Sequence, residues 1–163
     1  MSTHQKREMR EVLLGLPGIP EVVRHGGCMG ADWDFHQIVL ALEEGTKLRV
    51  YPSDIERTYP KAIKDRMAKH SRSLRDAWLD FGSEVVADPM NPFERDRLMV
   101  DLLVSSARED GKPAVLLAAP AENRGERIYS GTWATVRYAR KAYPELRRII
   151  VRPNGKVEEE GTW

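Results

Sequence analysis

Met9, Val12, Leu13 and Leu16 recur at the spacing of one helical face, which predicts a helix over residues 3–16. Ser2 and Gln5 stand where a capping box would close its first turn, and Pro17, Gly18 and Pro20 end it. A short apolar stretch, 22–25, reads as a strand running straight into Gly26, Gly27 and Gly30. The next helix begins near Ala31, with Phe35, Ile38, Val39 and Leu42 as its stripe and Gly45 at the place of a C-terminal cap. Residues 47–51 read as a second strand, ended by Pro52. The polar stretch 53–73 carries no clear period. Leu74, Ala77, Trp78 and Phe81 predict a helix ending at Gly82, and 84–87 a brief strand.

The second half opens with Asn91-Pro92-Phe93-Glu94. Asn91 suits an N-cap, Pro92 the first helical position and Glu94 the reciprocal capping place. Leu98, Met99, Leu102 and Leu103 are the expected buried face of that helix. The nearly all-apolar run 114–118 reads as a central strand covered on both faces. A polar loop, 121–129, leads to a helix opened by Ser130 and Gly131 and striped by Trp133, Val136, Ala139 and Tyr143. Residues 147–152 form the last expected strand, and the tail from Pro153 is either a small extra strand or loose. Helices alternating with short strands predict an α/β, Rossmann-like three-layer fold, with a mostly parallel sheet and helices on both faces.

The 163 residues fit a single domain, 1–163, with its core over about 22–152. Hydrophobic residues at 41% supply a core and charged residues at 31% a well-solvated surface, so global disorder is not expected. Lys plus Arg is 26 against 25 for Asp plus Glu, a net charge of +1, which argues against nucleic acid as a partner through bulk charge. No apolar run approaches the ~18–20 residues of a membrane span, and residues 1–10 are polar, unlike a signal peptide. A single cysteine, Cys28, precludes an internal disulfide, so a cytoplasmic location is expected.

Two glycine-bearing segments carry the candidate chemistry. His25-Gly26-Gly27-Cys28-Met29-Gly30-Ala31-Asp32 joins a strand to a helix, where glycines allow positive φ and a helix start offers N–H donors to an anion. The spacing is neither a P-loop nor GxGxxG, so a phosphate cradle and a tight turn with a capped helix both stay open. Asp32 and Asp34 complement the helix dipole; Asp32 is also placed to bind a ribose hydroxyl. Ser130-Gly131-Thr132 opens a second helix with two hydroxyls and a small residue for close backbone approach. In one parallel sheet both segments would lie on the edge formed by the strands' carboxyl ends.

Arg95 and Arg97 sit in a first helical turn that favours acids, so they are either phosphate ligands or a solvated pair balanced by Glu94 and Asp96. Arg124 and Arg127, in the loop before Ser130, are surface charges or a cover for a ligand. Trp33 and Trp133 are core or pocket wall. His25, His36 and Cys28 match no metal-ligand spacing, so no metal is expected.

HGGCMGAD, the run RDRLMVD from Arg95 to Asp101, the strand AVLLAAP and SGTWATVRYARK from Ser130 to Lys141 resemble, in this order, the SLOG superfamily. That group of Rossmann-like domains includes LOG-type phosphoribohydrolases, the DNA-processing protein DprA and YspA-like proteins, and the chain is most similar to the YspA-like branch. The resemblance implies a pocket for a nucleotide or nucleotide-derived, phosphate-bearing ligand. Gly26, Gly27, Gly30 and Asp32 would form one wall, Arg95 and Arg97 would reach a phosphate, and Ser130, Gly131 and Thr132 would hold it.

LOG-type hydrolases carry a PGGxGTxxE motif whose Glu serves N-glycosidic cleavage. Thr135 stands at the matching place, which favours a binding or sensor module over a phosphoribohydrolase; in the hydrolase alternative Asp32 is the remaining candidate acid. No cofactor beyond the nucleotide-like ligand is implied. Relatives open with a strand and a Gly-Ser/Thr-Arg turn where this chain shows a helix. A first strand missing or replaced would leave an open place in the sheet and favour a homodimer or higher homo-oligomer.

Overall fold

A computed structural model describes residues 1–18, 20–42 and 45–162. The fold is α/β and consistent with a Rossmann-like arrangement, with a parallel sheet flanked by helices. The strands form two three-stranded sheets rather than the single one the alternation predicts. By contacts the chain divides into two compact units, Leu13–Arg95 and Met1–Val12 with Asp96–Trp163.

In the unit Leu13–Arg95, β1 (Val22–His25), β2 (Lys47–Val50) and β3 (Ser83–Val85) lie side by side, all parallel. Val22 pairs with Lys47, and Leu48 with Ser83. Helix α2 (Ala31–Leu42) links β1 to β2. The stretch 53–73, without a period in the sequence, holds a 3-10 turn (Glu56–Thr58) and helix α3 (Lys61–His70). Lys61 to Lys69 are mostly polar, so α3 buries only Ile63 fully and its stripe is too thin to read. Helix α4 (Leu74–Leu79), capped by the Ser73 hydroxyl accepting from the Asp76 N–H, returns to β3. Val50, Ile63, Ala77, Trp78 and Val85 form the core here, so burial of Ala77 and Trp78 matches their expected stripe. Residues 43 and 44 of the expected cap region lie outside the described residues.

In the other unit, β4 (Val115–Ala118) pairs parallel with β5 (Arg147–Val151), and β6 (Val157–Glu160) adds antiparallel to β5. The polar tail is thus a strand, and β5 rather than β4 is central in this sheet. Arg140, Arg147, Arg148 and Arg152 hold β6 through Glu160, Glu159 and Glu158.

Helix α1 (Thr3–Leu14) starts with the expected capping box: Gln5 N–H donates to Ser2 Oγ at 3.0 Å, and Ser2 N–H to Gln5 Oε1 at 3.3 Å. Helix α5 (Pro92–Asp110) opens with Phe93 N–H donating to Asn91 Oδ1. Its buried apolar positions are Val100, Val104 and Ala107, not Leu98, Met99, Leu102 and Leu103, which are half-buried. Apolar residues fill most of the circumference from Leu98 to Val104, so periodicity alone does not select the face. Helix α6 (Gly131–Ala142) buries Trp133, Val136 and Ala139 as expected.

Candidate functional site

The two glycine segments fall in different units. The first grows from the end of β1. His25 is buried, and the N–H of Gly27 donates to its Nδ1 at 3.2 Å. The ring proton therefore sits on Nε2 and is donated to His36 Nδ1, 3.1 Å away. His36 in turn donates from Nε2 to the Phe81 carbonyl at 3.0 Å. Both rings are neutral in this chain of bonds. Burial, then His36, then the Arg95 charge pull the His25 pKa down to about 3, and burial likewise lowers that of His36. Trp33 stacks on His36 with rings 5.4 Å apart, and Trp78 meets both histidines edge-on.

Arg95 is buried on this turn. Its Nη1 donates to the Gly26 carbonyl at 3.3 Å and lies 3.1 Å from Cys28 Sγ. A Cβ on Gly26 would meet the Arg95 guanidinium at 2.7 Å. Gly27 has φ +67°, and a Cβ there would come within 2.6 Å of Val50 and 3.1 Å of Trp78. Gly30 has φ +86° with open space around it. Cys28 N–H donates to Asp32 Oδ2 at 3.0 Å, and Met29 N–H to the Thr58 carbonyl at 2.6 Å. The amides of Gly27, Cys28 and Met29 thus have acceptors within the unit. Packing demands account for Gly26 and Gly27, and Asp32 caps the turn.

The second site grows from α6. Ser130 takes the extended N-cap conformation (φ −89°, ψ 129°), and its hydroxyl accepts from Trp133 N–H. Ala134 N–H donates to the Ser130 carbonyl. Among the described residues, the amides of Gly131 and Thr132 have no acceptor. Gly131 is exposed, Thr132 half-exposed, and Tyr129 just before them is 96% exposed beside Ile128 at 75%. Buried Asp96 is the nearest carboxylate, its Oδ2 at 3.9 Å from where a Gly131 Cβ would stand. Thr135 turns its hydroxyl back to the Gly131 carbonyl at 3.0 Å.

Arg97 is exposed, its guanidinium 5.6 Å from the Tyr138 ring centre. Tyr138 and Tyr143 both donate to Asp101 Oδ1, at 2.7 and 2.9 Å, which with burial raises both phenol pKa values, Tyr138 to about 12. Arg95 and Arg97 do not share a helical face, since residues two apart point to different sides.

The loop before Ser130 is fastened rather than open. Arg152 donates to the Gly125 and Glu122 carbonyls, Arg137 to the Ile128 carbonyl, and Trp133 Nε1 to Glu122. Trp133 is wholly buried, with Arg152 4.7 Å above its ring. Arg124 and Arg127 are exposed, Arg127 at 4.0 Å from Glu122. The fastening arginines and the tyrosine pair on Asp101 escape sequence reading, because they join residues far apart in the chain.

A scan against protein-family models finds no matching family, and searches of curated proteins and of solved structures find no similar chain. Among the described residues, no helix is long and apolar enough to cross a membrane.

Proposed function

We propose that the protein is a SLOG-like module that binds a nucleotide or nucleotide-derived ligand through its phosphate at the start of α6. The observation that carries this is the pair of amides on Gly131 and Thr132, which have no acceptor among the described residues at the mouth of a 12-residue helix. Such amides and the helix dipole favour an anion. The outward Tyr129 ring next to them offers a face on which a base can stack, a contact of ~1–3 kcal/mol. Two side chains favour binding over hydrolysis: Thr135 stands where the resemblance would place a Glu, and Asp32 is engaged by the Cys28 amide.

The test uses Gly131→Pro. Ser130 already holds the extended conformation a following proline requires, and proline suits the first helical position, so the variant loses one N–H donor and keeps the helix. A nucleoside monophosphate should raise the melting temperature of the wild type, with an apparent Kd roughly tenfold weaker for G131P. Tyr129→Ala should weaken binding of the nucleotide more than that of ribose 5-phosphate. No shift with any of the nucleoside monophosphates, or equal binding by a folded G131P, would refute the reading.

A further inference from the structure

The pairing of β1 with β2 sets Arg24 directly opposite Arg49. Each alternates with buried neighbours, Val23 and His25 on one strand and Leu48 and Val50 on the other, so both arginines stand on the same face of the sheet. Adjacent strands lie ~4.8 Å apart, and like charges directly opposite one another destabilise a ladder. Glu84 is next in the row, in register with Arg49, and is exposed. Arg24 is held by contacts of its own. Arg49 is half-buried, and its Nε is buried without a hydrogen-bond partner. A buried guanidinium N–H left without an acceptor costs ~1–3 kcal/mol or more. A chain that keeps two arginines abreast, one with a buried idle donor, has a place for an acceptor carrying negative charge.

We infer that Arg49, with Arg24 beside it, forms an anion subsite on the β1–β2 face for a phosphoryl group. A phosphoryl dianion matches two adjacent guanidinia in charge, and its oxygens can accept from the planar fork of Arg49. A carboxylate carries half that charge.

The test is calorimetric titration of the full chain with inorganic phosphate at constant ionic strength, with chloride and acetate as controls. Arg49→Gln should weaken phosphate binding ~10-fold or more, and Arg49→Lys should fall between the two. Glu84→Gln should tighten it, because one competing charge leaves the row. Circular dichroism checks folding; if R49Q does not fold, R49K carries the comparison. Equal heats with chloride or acetate would overturn the inference, as would unchanged binding by the folded Arg49 variants. Phosphate binding abolished by Gly131→Pro but untouched at Arg49 would also overturn it while leaving the α6 reading intact. Binding lost at Arg49 but kept in G131P would do the reverse.

Discussion

Gly27→Ala measures what holds the first glycine turn in its shape. Gly27 lies at φ +67°, where a Cβ costs ~1–2 kcal/mol of backbone strain. The added methyl would also stand 2.6 Å from Val50 Cγ1 and 3.1 Å from Trp78, both wholly buried, and overpacking of that kind costs ~1–3 kcal/mol. The sum is ~2–5 kcal/mol, or a melting temperature lower by ~4–20 °C for a chain of this size. Gly30→Ala is the control. Its φ of +86° imposes the same strain, but nothing lies within 4 Å, so only ~1–2 kcal/mol is expected. Urea denaturation of both variants separates the two contributions. Adding Val50→Ala to each completes the comparison, since room opened at Val50 should offset part of the G27A loss and none of the G30A loss. Equal destabilisation by G27A and G30A would refute the packing explanation of Gly27.

Two further outcomes follow from buried polar groups. His25 is neutral in the fold down to about 3, while the unfolded chain takes its proton near 6.5. Its contribution to stability is therefore fully present above pH 6.5 and declines as pH falls toward 3, at most ~1.4 kcal/mol per pH unit. Denaturation series at stepped pH on wild type and His25→Leu should show a shallower acid slope in the variant; parallel slopes would contradict a neutral His25. Gln5 Nε2 donates to the Pro120 carbonyl at 2.9 Å and the Val151 carbonyl at 2.7 Å, in addition to closing the α1 cap. Gln5→Ala should cost ~2–4 kcal/mol by chemical denaturation, whereas a cost near that of a cap alone, ~1 kcal/mol, would mean those carbonyls find other donors.

Local rules were legible wherever one turn of chain decides the outcome. Ser2 with Gln5, Asn91 before Pro92, and Ser130 before Gly131 each cap the helix that their residue types announce. The stripes of α4 and α6 were equally plain, because their apolar residues occupy one face. The buried face of α5 was not, because leucine, methionine and valine surround it. The pairing of β6 was hidden as well: Val-Glu-Glu-Glu has no strand period, and its place depends on arginines 6–20 residues away. At the candidate sites, the glycines marked both turns, but the sequence could not distinguish a glycine required by a ligand from one required by a neighbour. Arg95 lying over Gly26 makes that distinction, across 69 positions of chain.

The acidic run of β6 also bears on how copies of the chain could meet. β6 stands at the margin of its sheet, and margins of that kind are where strands of separate molecules join. Three successive glutamates there, each matched to an arginine of its own chain, leave an incoming strand to face carboxylates whose partners are already taken. Sheet-to-sheet polymerisation along this border is thereby disfavoured.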